Sequence, residues 1–408
     1  MSNLLTQRTH SMAFIVGVML IDSISFGITL PVTPQLVMTV ENVGLSEAGL
    51  LSGYLFLLYA CVQFFSSPIL GNLGDKYGRR PILLCSLLSL SAAYLIPVLT
   101  SSLDWLFISR FIAGCGSATY LCAYAYIVDI SSIEQRAQRF GLAGAAFGLG
   151  LIIGPVIGGI FGAWDTRAPF AVASMLCMAN FVYGFIVLKE SLPKTARRNF
   201  EMKELNPIGA MLRIGKYPAM SGITFSYFLF VIAPFALTSY WSFFVIEKFK
   251  WSELEVGFSQ GFHGLVLVIA QGLIYRWALP RLGPFKAVVL GMVAALSAYI
   301  CYAFAEYGWQ LYLIIAVTGI SGFVLPSLQL MMTSQVSADS QGELQGALSS
   351  LNSLASIIGA IVMMPLFFYF TNTRAVLYFP GISFLAMALL TGLALFFFVI
   401  TVRRYQLN

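Results

Sequence analysis

The chain has 408 residues, 59% of them hydrophobic and 10% charged, with a mean hydropathy of +0.85 and a net charge of +6. Soluble domains carry about 25% charged residues, so this composition excludes the two or three soluble domains that length alone suggests. Nor does the basic excess read as nucleic-acid binding, because Lys and Arg sit in short loops between apolar runs, where they mark the cytoplasmic side of a membrane protein.

Apolar runs of ~20 residues are long enough to cross a bilayer. Twelve occur, at 12–36, 48–71, 81–100, 105–129, 138–163, 169–188, 218–246, 256–276, 284–304, 309–333, 343–370 and 375–401. The first is followed by more spans and lacks a small-residue cleavage site, so it reads as a span rather than a leader. The expected fold class is an all-α membrane protein of twelve transmembrane helices in two pseudo-symmetric six-helix bundles, residues 1–188 and 218–408. Residues 189–217 hold ten charged side chains and read as a cytoplasmic linker. With both termini cytoplasmic, 18 of the 23 basic residues fall on the inner side and four (Arg167, Lys248, Lys250 and Arg374) on the outer, a decisive bias. Arg110 lies within a span. The stretch from Glu134 to Arg139 resembles the one from Asp339 to Gln345 at an offset of 206, which also pairs Gly116 with Gly322. Such repeats characterise transporters that bind near the bilayer midplane.

Between the second and third spans stands Gly71-Asn72-Leu73-Gly74-Asp75-Lys76-Tyr77-Gly78-Arg79-Arg80-Pro81. Its glycines permit a tight turn and close helix approach, and Asp75 with the basic residues can clamp helix ends. Span four carries Arg110-Phe111-Ile112-Ala113-Gly114-Cys115-Gly116, and span five Gly150-Leu151-Ile152-Ile153-Gly154-Pro155-Val156-Ile157-Gly158-Gly159. In the latter, small residues on one face let a second helix pack closely.

The three stretches, in this order, resemble the signature loop, the intramembrane arginine motif and the antiporter motif of the major facilitator superfamily, twelve-helix drug:proton antiporter branch. Within it the chain is most similar to the tetracycline efflux pumps, through Asp22 to Pro34, Phe147 to Ile152, Val256 to Ser259 and Leu344 to Gly346. The resemblance implies an exporter driven by inward proton flow, working by alternating access, in a bacterial inner membrane and as a monomer. The acidic residue of helix 3, the histidine of helix 8 and the acidic residue of helix 9 in those pumps correspond here to Ala93, Leu267 and Leu296. This departs from the residues tied to metal–tetracycline in that family.

A charge within the bilayer costs at least ~2.5–3.5 kcal/mol at a helix centre, so each one is informative. Asp22 lies about ten residues into the first span, where desolvation favours its neutral form; it is the expected proton-binding residue. Arg110, charged at any relevant pH, can sense its protonation, bind an anionic substrate or pin helices. His263, one turn from Leu267, is a further coupling candidate. The expected conformational latch comprises Gly71, Gly74, Asp75, Gly78, Arg79, Arg80, Asp129 and Glu343, with Asp129 and Glu343 also readable as helix-end caps. The antiporter motif contributes Gly150, Gly154, Pro155, Gly158 and Gly159. Polar and aromatic residues placed for a substrate cavity are Tyr59, Gln63, Tyr120, Tyr124, Tyr227, Trp241, Gln271, Gln329 and Asn352; their faces can hold a flat or cationic ligand.

The six cysteines (Cys61, Cys85, Cys115, Cys122, Cys177, Cys301) fall in apolar runs without a CxxC pair, as packing residues do. No metal cluster, phosphate-binding loop or nucleophile–base pair is present, so an enzyme is not expected. Nor is a cofactor: the proton gradient supplies the energy, and the partners are a small amphipathic or metal-chelating compound, protons and the lipid bilayer. An importer or uniporter of a metabolite or chelator on the same fold, and a membrane sensor without transport, are the competing readings.

Overall fold

The computed structural model describes residues 2–117, 119–131, 133–197, 218–335 and 341–405. Among them there is no strand; the chain is a succession of helices, as expected where a bilayer forces every backbone N–H and C=O to pair within the segment. The helices are α1 (Ser2–Thr29), α2 (Thr33–Glu41), α3 (Leu45–Tyr77), α4 (Arg79–Leu99), α5 (Leu103–Cys115), α6 (Thr119–Ile130), α7 (Ile133–Gly162) and α8 (Ala168–Val187). After the linker come α9 (Pro218–Phe249), α10 (Glu253–Ile269), α11 (Tyr275–Phe304), α12 (Gly308–Thr318), α13 (Val324–Thr333), α14 (Gln341–Thr371) and α15 (Ile382–Tyr405).

Among the described residues, eleven segments are long and apolar enough to cross a membrane. One of them, Glu253–Phe304, has 52 residues, about 78 Å of helix at 1.5 Å per residue against a hydrocarbon core of ~30 Å. Gly283 breaks it with φ 72° and ψ 166°, a conformation glycine adopts without strain, so it holds two spans, which makes twelve among the described residues.

Several spans differ from the smooth helices that periodicity predicts. The first ends at Thr29 rather than 36, because Pro31 and Pro34 cannot continue a helix; α2 restarts with Pro34 in its first turn and runs to Glu41. The fourth is cut into α5 and α6 at Gly116, whose φ −88° and ψ 5° end α5. The eighth contains a π-helical turn at Ala270–Ile274 between α10 and α11. In the tenth, a 3₁₀ segment at Gly319–Phe323 joins α12 to α13, and the Thr318 and Ser321 hydroxyls each donate to the carbonyl three residues back, at 2.6 Å.

The chain forms two compact units. Unit 1 takes residues 1–42, 58–206 and 252–261; unit 2 takes 43–57, 207–251 and 262–408. Each sequence half thus gives the start of one helix, α3 or α10, to the other unit. In unit 1, Phe14, Ile15, Val18 and Met19 of α1 pack with Leu83 and Leu87 of α4 and Tyr126 and Ile127 of α6. Unit 2 has an aromatic core in which Phe384 of α15 meets Tyr240, Trp241 and Phe244 of α9 and Tyr302 of α11.

Candidate functional site

Asp22 lies three-quarters along α1 with 7% exposure, on a helix that packs against α6, α7 and α8. The Tyr120 hydroxyl of α6 lies against its carboxyl. Tyr59 of α3, Tyr94 of α4 and Cys177 of α8 are within electrostatic range of the carboxyl. Tyr59 is paired with Gln63 one turn on, and Cys177 with Ser25. Arg110 of α5 is close to Tyr59 and Tyr94. No ion pair joins Arg110 to Asp22; the three among the described residues are Arg79–Asp75, Arg79–Asp129 and Lys250–Glu247. The two charges therefore share a cluster with phenols adjoining both. Tyr94 was not among the residues expected here. Its signal is a hydroxyl next to Ala93, where Ser109 of α5 donates to the Ala93 carbonyl at 2.7 Å.

The signature loop closes into a charge knot. Arg79 pairs with Asp75 on α3 and, at 3.5 Å, with Asp129 at the end of α6. Arg80 donates to the Phe185 carbonyl at 2.7 Å, and Ser191 donates to Asp129 at 2.8 Å. At the centre sits Glu190, which the sequence offered only as one charge of the linker. Its carboxylate accepts from the backbone N–H groups of Arg79 (2.8 Å) and Arg80 (3.3 Å) and from those of Ser191 and Leu192 (3.0 and 3.1 Å). The first N–H groups of a helix have no partner within it; at the start of α4 a side chain from beyond α8 supplies one. Gly78, with φ 108°, makes room, since a Cβ there would overlap the Glu190 carboxylate. A Cβ at Gly71 would touch Leu121, and one at Gly74 would meet the Arg79 guanidinium. Every described member of the knot lies in unit 1. The Glu343 side chain lies outside the described residues.

The antiporter motif uses its small residues on two faces. Toward α1, a Cβ on Gly150 would fall 2.7 Å from Ser23 Cβ, and one on Gly154 2.7 Å from the Ile24 carbonyl oxygen. On Gly158 it would fall on the Ile28 carbonyl. Toward the start of α10, a Cβ on Gly159 would sit 2.7 Å from the Glu253 carbonyl oxygen. A Cβ on Gly257 would run into the Pro155 carbonyl, and one on Gly261 into Val156. Backbone lies on backbone along both seams, an approach only small residues allow.

In unit 2, Tyr227 is 2% exposed and donates to Asn352 Oδ1 at 2.8 Å, so two of the expected cavity residues meet. Trp241, 4% exposed, is set edge-on to Tyr302 and Phe384 and serves the aromatic core. Gln271 is exposed on the π-helical turn, against the bare face of Gly322, and Gln329 is exposed on α13. His263 is half-buried on α10 and makes no hydrogen bond or ion pair among the described residues; it belongs to unit 2. In unit 1, Tyr124 is partly exposed with its ring on Phe140, and the Tyr120 ring stands edge-on to Phe147 of α7. No group of three or more His, Cys, Asp or Glu among the described residues could hold a metal.

Comparison with known proteins identifies the family. The family model described as Major Facilitator Superfamily matches residues 15–360. The chain is 34% identical over 361 residues to the class C tetracycline resistance protein of Escherichia coli, covering 88% of this chain and 90% of that one. It is 33% identical to the class G tetracycline resistance protein of Vibrio anguillarum over 84% of this chain and 86% of the relative. The crystal structure of the human organic anion transporter MFSD10 superposes with a TM-score of 0.72 at 21% identity, covering 96% and 99% of the two chains. With a family match across most of its length and relatives above 30% identity, this chain belongs to the major facilitator superfamily.

Proposed function

We propose that the protein exports a small amphipathic or metal-chelating compound in exchange for protons, by alternating access across a bacterial inner membrane. The observation that carries this reading is Asp22: a buried carboxyl on a spanning helix, ringed by three phenols and not ion-paired to the arginine nearby. A permanently paired carboxylate is held in one protonation state, whereas this one is free to exchange a proton between conformations. Proton entry at Asp22 favours substrate release and return of the empty carrier. Similarity to tetracycline resistance proteins supports export. Ala93, Leu267 and Leu296 bring neither carboxyl nor imidazole to positions acidic or basic in those pumps, which favours a cargo other than metal–tetracycline.

The basic linker and the charge knot are assigned to the cytoplasmic side, with both termini there. The knot holds that end of unit 1 in order and serves as the latch of one transport state. The protein works as a monomer, without cofactor or chemical catalysis, on the proton gradient alone. Import or uniport on the same fold is the second reading, favoured by the missing acidic residues at Ala93 and Leu296.

The test is flux in proteoliposomes under an imposed pH gradient, for the native protein and Asp22→Asn, with tetracycline, a lipophilic cation and an iron chelator as cargo. Gradient-driven flux that disappears in Asp22→Asn is the expected outcome. Gradient-driven accumulation at the native rate in the variant refutes the assignment of Asp22.

A further inference from the structure

Span four is severed where it passes the proton site. Gly116 ends α5, and Ser117 folds back with its N–H and hydroxyl both on the Gly114 carbonyl, at 3.4 and 2.7 Å. Arg110 is on one side of the break and Tyr120 on the other. Beyond the break, α6 is a rod of 12 residues. Tyr120 stands near one end and Asp129 near the other, nine residues on and so about 14 Å away at 1.5 Å per residue. Asp129 sits in the charge knot with Arg79 and Ser191, and Tyr126 on the same rod donates to the Lys189 carbonyl at 2.8 Å.

The Tyr120 hydroxyl is buried and lies against the Asp22 carboxyl, its nearest acceptor. An ionised carboxylate accepts a charge-assisted hydrogen bond, roughly twice as strong as the neutral one a protonated carboxyl offers. The pull of Asp22 on Tyr120 therefore depends on its proton. The other groups around Asp22 are Tyr59 on α3, Tyr94 on α4 and Cys177 on α8, with Arg110 beyond two of the phenols on α5; α7 sets Gly150 against Ser23 and Phe147 against the Tyr120 ring. Tyr59 and Cys177 already have partners, and the helices bearing Tyr59, Tyr94 and Cys177 run unbroken for 20 residues or more.

We propose that Tyr120 is a positioning residue for proton coupling: its hydroxyl reads whether Asp22 carries a proton, and α6, turning about the break at Gly116, carries that state to Asp129 and the charge knot. The inference rests on the reading of Asp22 as the proton site. It assigns to Tyr120 a part in coupling in place of one in cargo binding, and it makes the knot respond to an event about 14 Å away.

Hydrogen–deuterium exchange of the peptide 119–131, measured on the full-length protein in nanodiscs across a pH series and corrected for intrinsic exchange, tests it. In the native protein, protection of this peptide is expected to change about five- to tenfold across the titration of Asp22, the factor for exchanging a charge-assisted hydrogen bond for a neutral one. Asp22→Asn and Tyr120→Phe should each flatten that response, while protection of a unit 2 peptide within 346–371 stays native and reports intact folding. A response that persists in Asp22→Asn overturns the Asp22 reading and this inference together. A response lost in Asp22→Asn but retained in Tyr120→Phe overturns the inference alone.

Discussion

Replacing Gly158 by Ala adds one methyl group where α7 lies against the backbone of α1. The new Cβ would land on the Ile28 carbonyl, 2.8 Å from its carbon and 3.0 Å from its Cα, inside the ordinary contact distance of ~3.5 Å. No side chain can swing aside, so the helices must separate, loosening the Gly150 and Gly154 contacts on the same seam. Overpacking costs ~1–3 kcal/mol, and rigid backbone puts this case at the upper end. Against it stands the ~0.5–1 kcal/mol that Ala gains over Gly within a helix, leaving a net loss of about 2 kcal/mol. Gly144, on the same helix, has nothing within 4 Å of an added Cβ, so Gly144→Ala retains the gain of ~0.5–1 kcal/mol. Thermal unfolding of the purified protein in detergent separates the two. At ~2–4 °C per kcal/mol for a unit of about 200 residues, Gly158→Ala should lower Tm by about 4–8 °C and Gly144→Ala leave it level or slightly raised. Equal shifts in the two variants would refute the assignment of that seam to backbone contact.

Two further outcomes follow from the same geometry. Glu190→Ala uncaps α4 and removes a carboxylate from four N–H groups, a loss of ~1–3 kcal/mol that denaturation should detect; Glu190→Gln, which keeps an acceptor oxygen, should lie between it and native, and equal stability of all three would contradict the capping role. Tyr227→Phe leaves Asn352 Oδ1 without its donor in a buried setting and should cost ~1–3 kcal/mol; with Asn352→Leu already in place the same change should cost much less, which a double-mutant cycle in Tm reads directly.

What could be read from the sequence was whatever is local. Twelve spans follow from runs of apolar residues, and the seams of α7 follow from the spacing of its small residues. The breaks were not visible in the same way. Pro31 and Pro34 mark the first, but the cut after Gly116, the π-helical turn at Ala270–Ile274 and the 3₁₀ segment at Gly319–Phe323 contain no proline. Hydroxyls turned back on carbonyls accompany the first and the last of them, Ser117 on Gly114 and Thr318 and Ser321 on the carbonyls three residues back. Asp22, Arg110 and Tyr120 were each identifiable as polar residues in apolar runs, yet the absence of an ion pair between the first two depends on tertiary placement. Glu190 was hidden because Arg79 and Arg80, which it caps, are more than a hundred residues away, and an aromatic side chain in a span, such as Trp241, has the same signature whether it faces cargo or core.

The cap on α4 also has a history in time. Arg79 and the carboxylate that satisfies its N–H are 111 residues apart, so at ~5–20 residues per second of synthesis the start of α4 waits about 6–22 s for its acceptor. Over that interval the nascent chain grows from two spans to six while the start of α4 stays open. Arrival of Glu190 coincides with completion of the sixth span, so the cap closes when the first half of the protein is whole. A ribosome that stalls or a chain truncated before residue 190 leaves that end unsealed, a mark of incompleteness available to membrane quality control.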